Sequence, residues 1–525
     1  MNSPHAEDLP RAESADICLL LEGTFPYVSG GVSSWVNQII RGFPEYTFAC
    51  CFVGSRPEDY GEMKYSLPDN VVHLEVHYLH QHDQKAEKTA REGDRKAFEK
   101  VDRFHNMVRS GKISDERNRL FSDLVSELGD DGALSEQAFL HSRSSWDLIA
   151  ESYRRYSRDP SFVDYFWTVR IMHAPIWILN RIADNLLPAK VYHSISTGYA
   201  GFLGAMMRRK TGRPLLLSEH GIYTKERKID LFQSEWISDN RGLVERNNVE
   251  MAYFREKWIN FFQELGRECY QASDRIVALY ENNRLRQVAD GAPAPRTRNI
   301  PNGINLPAME AVRAQRGDEI PPVACLIGRV VPIKDVKTFL RSMRTVVNIM
   351  PEVQGWIAGP EDEDEEYAAE CHALVSSLQL DANVRFLGFQ KITELLPKVG
   401  VVVLSSISEA LPLVLLEGFA AGVPAVSTDV GSCRQLIEGL GEEDQALGSA
   451  GDVVGIANPE ALGHAVADLL RDPPRWRQAQ QAGIRRVEKY YTQEMMFSAY
   501  RSLYQDLVRQ ADEEGAVPTL KEEAR

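Results

Sequence analysis

Short apolar runs alternate with amphipathic stretches along most of the chain, and this alternation predicts an α/β protein. The first run, DICLLLEG (16–23), has the continuous apolar character of a strand buried on both faces. It is followed by a turn and by VSSWVNQIIRGF (32–43), whose apolar positions recur at helical spacing. Further strands are predicted at 46–54, 71–78, 191–195, 214–221 and 275–280. Alternating strands and helices predict a parallel sheet.

A second alternating series begins after RTRNIPNGINLPAM (296–309), where Pro, Asn and Gly predict a hinge. Its strands are predicted at 323–328, 353–359, 384–389, 399–406 and 423–429. The predicted fold is therefore α/β, with two doubly wound parallel-sheet domains of the Rossmann-like kind.

Two regions depart from the alternation. Residues 81–165 are polar and charged with apolar positions at helical spacing, which predicts a helical insertion in the first domain, serving as a cap or a docking surface. Two long helices are expected within 225–268. The domain limits that follow are 1–305 for the first domain, 306–489 for the second, 490–510 for a last helix and 511–525 for a charged tail.

The composition limits the classes of function. A chain of 525 residues with 43% apolar and 26% charged residues is typical of a globular protein with two or three domains. The net charge of −15 argues against a nucleic-acid partner. The N-terminus lacks the apolar core of a signal peptide, and the longest apolar stretch, 411–426, falls short of the ~20 residues of a membrane span, so we expect no transmembrane segment and a cytoplasmic location. The seven cysteines form no CxxC pair and predict buried thiols rather than a zinc site.

Two cations follow the first strand of the second series. Arg329 and Lys334 lie five residues apart in LIGRVVPIKD. A guanidinium and an ammonium both suit phosphate oxygens. The alternative is a solvated loop in which they pair with Asp335.

Two carboxylates follow the strand predicted at 399–406. Glu409 and Glu417 lie eight residues apart in SISEALPLVLLEGFAAGVP, where Pro412 fits the start of a helix and Gly422 its end. The alternative is that Glu409 interacts with the helix dipole and Glu417 is an exposed helix charge. The apolar neighbours of Glu417 argue against that alternative, because an unpaired carboxylate there is costly.

The two pairs are expected to meet at one edge of the sheet. The ends of adjacent parallel strands face the same crevice, and the first N–H groups of the helix, near 410–414, form a ready anion site. A diphosphate on that helix end would leave Glu409 near a sugar and Glu417 near a ribose. This arrangement predicts a nucleotide-sugar site in which the cations offset charge on a leaving diphosphate without a metal.

Three further features carry weaker signals. Gly30 and Gly31 precede the first helix, where a glycine pair lets backbone N–H groups reach an anion, or forms an ordinary turn. His220 ends the strand LLLSEHG and could line the donor sugar, although a lone histidine is more often structural. The pair Asp362 and Asp364 resembles a metal-holding DxD, but its acids are better explained as residues at a helix start.

Taken together, the ordered motifs resemble family 4 retaining glycosyltransferases of the GT-B fold. The motifs are GGVSSWV, SEHGIYTKER, IPNGI, IGRVVPIKD, the Glu-x7-Glu run and GVPAVSTDVGS. Within that family, EGTFPYVSGGVSSWV with SEHGIYTKERKIDL resembles the PelF-type branch of bacterial Pel exopolysaccharide systems. One departure is Asn305, where many members of the family carry Asp.

The resemblance implies a role for each matching position. The second domain would hold a UDP-sugar donor, with Arg329 and Lys334 on the diphosphate, Glu409 at the transferred sugar and Glu417 at the ribose. The other implied donor contacts are Gly30, Gly31, Gly388, Leu413 and Val414, with His220 lining the cleft. The last helix would return to the first domain. No cofactor or metal is implied, and the implied partners are a saccharide acceptor and a membrane-bound exopolysaccharide synthase complex.

The sequence thus predicts a metal-independent retaining hexosyltransferase that uses UDP-glucose or a UDP-N-acetylhexosamine. A UDP-sugar epimerase or hydrolase of the same fold would consume donor without an acceptor. A non-catalytic assembly subunit would bind UDP weakly or not at all. The sequence names neither the sugar nor the acceptor.

Overall fold

The computed structural model describes residues 10–80, 91–111, 113–157, 161–225, 227 and 248–515. Its residues divide into two compact units. The first unit contains residues up to Ala278, Arg284–Asn299 and the residues from Arg501 onward; the second contains Leu279–Asn283 and Ile300–Tyr500. Residues 225–268 were expected to hold two long helices; Asn248–Ala272 is one, and 228–247 lie outside the described residues.

The first unit is built on a parallel sheet with the strand order β3-β2-β1-β4-β5-β6-β7. These strands are β1 (Ala15–Glu22), β2 (Phe48–Gly54), β3 (Val71–Tyr78), β4 (Ala189–Ser194), β5 (Leu215–Glu219), β6 (Arg275–Ala278) and β7 (Thr297–Asn299). All neighbours pair in parallel. Every residue of β2 is buried, as the continuous apolar run FACCFVG predicts.

Helices connect these strands. In chain order they are α1 (Gly31–Gly42), α2 (Arg95–Arg109), α3 (Asp115–Ser126), α4 (Glu136–His141), α5 (Arg143–Tyr156), α6 (Phe162–Asn185), α7 (Tyr199–Thr211), α8 (Asn248–Ala272) and α9 (Glu281–Ala289). Helices α2 to α6 form the crossover from β3 to β4 and occupy the region of the predicted insertion. The helical block is longer than predicted, because α6 begins before residue 165 and continues to Asn185.

The helical block has an apolar core of its own, which includes Phe98, Leu124 and Trp177. An ion-pair cluster fixes it to α8: the buried Arg117 of α3 donates to Glu264 and Glu268, each at 2.7 Å. Breaking such a buried cluster by removing one partner costs several kcal/mol, about 3–5. The block is therefore an integral layer of the first unit rather than a loosely attached appendage.

The second unit is built on a parallel sheet with the strand order β10-β9-β8-β11-β12-β13. These strands are β8 (Val323–Ile327), β9 (Gln354–Ala358), β10 (Val384–Gly388), β11 (Val401–Leu404), β12 (Ala425–Thr428) and β13 (Gly451–Val454). Successive residues of β8 and β11 alternate between two apolar clusters, one on each face of the sheet. Both sheets together confirm the predicted fold class.

The second half of the chain supplies the remaining helices. They are α10 (Leu306–Arg313), α11 (Val336–Ile349), α12 (Glu365–Ser377), α13 (Ile392–Leu395), α14 (Leu413–Ala420), α15 (Cys433–Glu438), α16 (Glu442–Gln445), α17 (Pro459–Arg471), α18 (Pro473–Tyr490) and α19 (Gln493–Gly515). Asn305 caps α10 by accepting a hydrogen bond from the N–H of Ala308 at 3.2 Å. Asp and Asn cap helices about equally well, so this departure from the family pattern keeps its local role.

Two short edge strands escaped the sequence prediction. Thr297–Asn299 lies within the stretch predicted as a hinge, and Gly451–Val454 has too few apolar residues to be recognised. The last helix runs to Gly515, five residues into the predicted tail. No helix among the described residues combines the length and apolar character needed to span a membrane.

Candidate active site

The predicted site of the second unit lies where its sheet changes winding direction. Strands β8 and β11 are neighbours in the sheet but not in the chain. The loop with Arg329 and Lys334 follows β8, and the loop with Glu409 follows β11. In open parallel sheets this switch point is where ligands bind.

Lys334 and Glu409 meet at this point. The Lys334 Nζ lies 2.6 Å from the Glu409 Oε1, and the Ser406 Oγ donates to the same oxygen at 2.7 Å. The two charged side chains are 23% and 12% exposed, so the pair is only partly open to solvent. A charge-assisted hydrogen bond in such surroundings fixes both groups at the switch point.

The backbone around Lys334 holds that ammonium in place. Asp335 has a left-handed backbone, φ 45° and ψ 51°, and its carboxylate caps α11 by accepting from the N–H of Thr338. The Ser405 Oγ donates to the carbonyl of Lys334 at 2.9 Å and also contacts that of Asp335 at 3.0 Å. The end of β11 is thereby tied to the loop after β8.

The prediction that both cations contact Glu409 and Glu417 is not met by Arg329, which pairs with a different carboxylate. Its Nη1 lies 2.5 Å from the Glu363 carboxylate, and both side chains are about half exposed. The acidic loop after β9 reaches this guanidinium. Two backbone hydrogen bonds hold that loop beside the loop after β8: the N–H of Gly328 donates to the carbonyl of Ala358, and the N–H of Val330 donates to the carbonyl of Pro360. The described structure thus joins one of the two cations to one of the two carboxylates.

The N-terminus of α14 presents unused backbone donors. Pro412 precedes the helix and no side chain caps it. Leu413 and Val414, the first residues of the helix, are both partly exposed. The free N–H groups of such a turn and the helix dipole together favour an anion.

Glu417 lies one turn further along α14. Among the described residues its carboxylate has no hydrogen-bond or ion-pair partner, and burial raises its pKa. An ionised carboxylate without a partner is unfavourable there. A carboxylate with a raised pKa and no partner among the described residues is a candidate ligand-binding group.

A glycine that sequence reasoning had not assigned shapes the Glu409 loop. Gly431 follows β12 and has φ +54°, and a Cβ there would lie 2.3 Å from the carbonyl oxygen of Glu409. The next residue, Ser432, donates its N–H to the Ala410 carbonyl at 2.9 Å. The motif TDVGS contains this glycine, but only the fold shows which loop it packs against.

Gly388 ends β10 with φ +61°. The side chain of the next residue, Phe389, is 80% exposed. An aromatic ring this exposed after a strand end is available to a ligand, although no contact assigns one.

In the first unit, the predicted glycine pair begins α1. Gly30 has an extended backbone and no side chain caps the helix. A Cβ placed on Gly30 or Gly31 would meet no atom within 4 Å. The folded chain itself therefore does not require glycine at either position.

His220 lies at the end of β5 and packs against α1. Its ring contacts Trp35 edge to face, with centroids 4.4 Å apart, and its Nε2 has no hydrogen-bond partner among the described residues. Burial lowers the pKa of His220 to about 4 and that of its neighbour His193 to about 3. His220 is therefore neutral at pH 7 and can act there only as an uncharged donor or acceptor.

The acidic stretch after β9 behaves as a helix start. Asp364 caps α12 by accepting from the N–H of Tyr367 at 2.9 Å, and Glu363 pairs with Arg329. Within the described ranges no three His, Cys, Asp or Glu side chains come together in a way that could hold a metal ion. The seven cysteines are buried thiols, as predicted.

Comparison with known proteins places these features in a family. Residues 15–295, more than half of the chain, match the family described as "Domain of unknown function (DUF3492)". The chain belongs to the DUF3492 family. Residues 309–486, the range that contains the switch point of the second unit, match "Glycosyl transferases group 1". This match confirms the predicted enzyme class.

Curated relatives align with parts of the chain. The N-acetyl-alpha-D-glucosaminyl L-malate synthase of Bacillus anthracis is 32% identical over 137 residues, 26% of this chain and 34% of that protein. The lipopolysaccharide core biosynthesis mannosyltransferase LpsB of Rhizobium meliloti is 34% identical over 101 residues, 19% of this chain and 27% of that protein. The chain thus spans about a third of the length of these relatives.

Solved structures share the fold over most of the chain. Sucrose-phosphate synthase from Thermosynechococcus elongatus has a TM-score of 0.55 at 16% identity, covering 94% of this chain and all of that one. Anabaena Alr3699/HepE in complex with UDP has the same TM-score at 12% identity, with the same coverage. At this level of identity the likeness concerns the fold.

Proposed function

We propose that the chain is a retaining, metal-independent glycosyltransferase that uses a UDP-sugar, either UDP-glucose or a UDP-N-acetylhexosamine, to build a bacterial exopolysaccharide of the Pel type. The observation that carries the proposal is the Lys334–Glu409 pair at the switch point of a group 1 glycosyltransferase domain. A cation for phosphate and a carboxylate for sugar hydroxyls stand side by side there. The uncapped start of α14 adds backbone donors for the diphosphate.

In the proposed reaction the bond between the sugar C1 and the diphosphate oxygen breaks as the acceptor hydroxyl attacks from the same face. The acceptor proton passes to the leaving phosphate oxygen, so no protein base is needed. Lys334, Arg329 and the N–H groups of Leu413 and Val414 stabilise the charge that develops on the diphosphate. No carboxylate is assigned as a nucleophile.

Donor binding would exchange partners within the site. A bound diphosphate competes with Glu409 for the Lys334 ammonium, and with Glu363 for the Arg329 guanidinium. Release of Glu409 frees its carboxylate for hydroxyls of the transferred sugar, while the Ser406 hydroxyl keeps it oriented. Glu417 would accept hydrogen bonds from the ribose hydroxyls, which would give its partly buried carboxylate a partner.

The nucleotide and the product are supported by the relatives. HepE has been solved with UDP, with UDP and glucose, and with UDP-glucose. A further relative of 32% identity over 209 residues is named an exopolysaccharide phosphotransferase, from Streptomyces coelicolor. Together with the PelF-type motifs, these names support a UDP donor and a polysaccharide product. The proposal places the enzyme in the cytoplasm, where a membrane-bound synthase complex would take up its product.

The test is calorimetric titration with UDP, ADP and GDP, each with and without EDTA. We expect UDP to bind most tightly and EDTA to leave its affinity unchanged. Arg329→Ala should weaken UDP binding at least tenfold, about the loss of one charge-assisted contact. Arg471→Ala is the matched control, because Arg471 has the same exposure and a carboxylate partner, Asp468, on a helix away from the switch point.

The possible results separate the rival functions. Preference for ADP or GDP would keep a transferase but change its donor. An EDTA-sensitive affinity would overturn the metal-independent mechanism. Absence of binding to all three nucleotides would favour the assembly subunit, and UDP-sugar turnover that ignores added acceptors would favour the epimerase or hydrolase.

A further inference from the structure

A cavity of about 1830 Å³ lies within the first unit, and none of the predicted site residues lines it. It is bounded on one side by the ends of β1, β2 and β3 and on the other by α4 and α6 of the helical block. Ligand pockets for small molecules measure roughly 300–1,000 Å³. The cavity is therefore large enough for a ligand with several linked rings.

Aromatic side chains line both walls. Tyr60 and Tyr78, with ring centroids 6.1 Å apart, stand on the sheet side. Trp167 and Ile171 stand one helical turn apart on α6 and are 54% and 52% exposed. Large apolar side chains this exposed inside a concavity offer flat faces to a ligand, and such faces pack well against the C–H faces of pyranose rings.

A carboxylate lies at the floor of the cavity. Glu22 ends β1 at the switch point of the first sheet. Its Oε1 accepts from the Tyr223 hydroxyl at 2.7 Å, and its Oε2 accepts from the N–H of Ala200 at 3.1 Å. Each carboxylate oxygen has two lone pairs, so the held group can accept further hydrogen bonds from ligand hydroxyls.

We propose that this cavity binds an extended saccharide chain of several sugar units, with Trp167 and Ile171 packing against sugar rings and Glu22 accepting their hydroxyls. The inference rests on the proposed function, because the bound saccharide would be the acceptor to which the enzyme adds sugars. It assigns the helical block a direct part in substrate binding, and not only the cap or docking surface predicted from its sequence. The DUF3492 match covers both walls.

The test is titration of the full chain with homo-oligomers of glucose, of N-acetylglucosamine and of N-acetylgalactosamine, each from one to six units. At least one series should bind, with affinity rising with length. Trp167→Ala should weaken the longest ligand about tenfold, as expected when an aromatic anchor is truncated. Trp146→Ala is the control, because Trp146 is a comparably exposed tryptophan of the helical block that does not line the cavity.

A second pair of variants guards against an effect of folding. Ile171→Glu places a charge on the cavity wall and should abolish binding of the longest oligomer. Val163→Glu makes the same change two turns earlier on α6, at a position 61% exposed and outside the cavity, and should leave binding intact. UDP titration of the same samples separates the two proposals: a wild-type chain that does not bind UDP counts against the proposed function, and unchanged UDP binding with lost saccharide binding isolates the cavity.

Two outcomes would overturn the inference. One is that none of the three series binds the wild-type chain. The other is that the Trp167 and Trp146 variants bind the oligomers equally well.

Discussion

The predicted sites of the two units differ in the charge of the groups that they present. At the switch point of the second unit, charged side chains are held by ion pairs and by hydrogen bonds to loop backbone. Lys334 and Glu409 form an ion pair with each other. At the start of α1 in the first unit, the corresponding groups are uncharged: two glycines with open space around them and a buried neutral histidine.

The difference indicates which residues in each unit are unfavourable for the stability of the fold. The second unit keeps a partly buried carboxylate, Glu417, without a partner among the described residues, and requires a glycine at Gly431 to seat the Glu409 loop. The first unit buries His220 and His193, and burial lowers the pKa of each, so both are neutral at pH 7. Stability should therefore respond to pH in opposite directions in the two regions, and to substitution of a glycine to very different extents.

The largest contrast should appear between two glycines. Gly431→Ala adds a Cβ that meets the Glu409 carbonyl at 2.3 Å in a left-handed backbone, so it should lower the free energy of unfolding by about 2–5 kcal/mol. Gly30→Ala adds a Cβ in open space on extended backbone and should change it by less than about 0.5 kcal/mol. Urea unfolding of both variants measures the difference.

Activity completes the comparison of the glycines. If a ligand approaches the backbone at α1, Gly30→Ala should slow sugar transfer although its stability is unchanged. Wild-type transfer by Gly30→Ala would show that this glycine pair is an ordinary turn. Wild-type stability of Gly431→Ala would contradict the packing of the Glu409 loop.

An intermediate effect is expected from His220. Its folded pKa of about 4 lies below the ordinary value of 6.5, so its contribution to stability is present above pH 6.5 and is lost as the pH falls toward 4. Over that interval the contribution amounts to about 2–3 kcal/mol. His220→Gln should remove this part of the acid sensitivity, measured as the free energy of unfolding at pH 6.5, 5.5 and 4.5. The control is His464→Gln, at an exposed position on α17; equal pH profiles for wild type and His220→Gln would refute the prediction.

The sequence predicts the two sheets well and the details of the site only in part. A strand such as FACCFVG is recognisable because both faces of a parallel sheet are buried, which leaves a continuous apolar run. The edge strand Gly451–Val454 lacks that signal, since an edge buries less side-chain surface. The extent of α6 was missed because its apolar residues serve two surfaces, the core of the helical block and the exposed cavity wall.

Within the site, spacing along the chain identified loops but not partners. Strand order placed Lys334 beside Glu409, as adjacent strand ends predict. It did not reveal that Glu363, from the neighbouring loop after β9, would take Arg329. Glu22 and Gly431 were not predicted as site residues, because their importance depends on contacts with segments distant in sequence: Tyr223 in one case and Glu409 in the other.

The smallest effect should come from Glu417, and it has the opposite sign to that of His220. Burial raises the folded pKa of Glu417 above its ordinary value of 4.5, so its favourable contribution is present below pH 4.5 and is lost as the pH rises through the folded pKa. Above that pKa the folded chain holds an unpartnered charge. Glu417→Gln removes the charge with little change of shape and should raise the free energy of unfolding at pH 7.5 by about 1 kcal/mol, with little gain at pH 4.

Measurement of UDP affinity tests whether the unpartnered charge of Glu417 serves nucleotide binding. If Glu417 accepts ribose hydroxyls, Glu417→Gln should weaken UDP binding several-fold in the same protein that it stabilises, because an amide is a poorer acceptor than a carboxylate. Glu352→Gln, at an exposed turn before β9, is the control and should change neither quantity. If the variant is more stable at pH 7.5 but binds UDP as well as the wild type, the unfavourable charge of Glu417 is not linked to a ribose contact. The Glu417 carboxylate would then have no part in nucleotide binding.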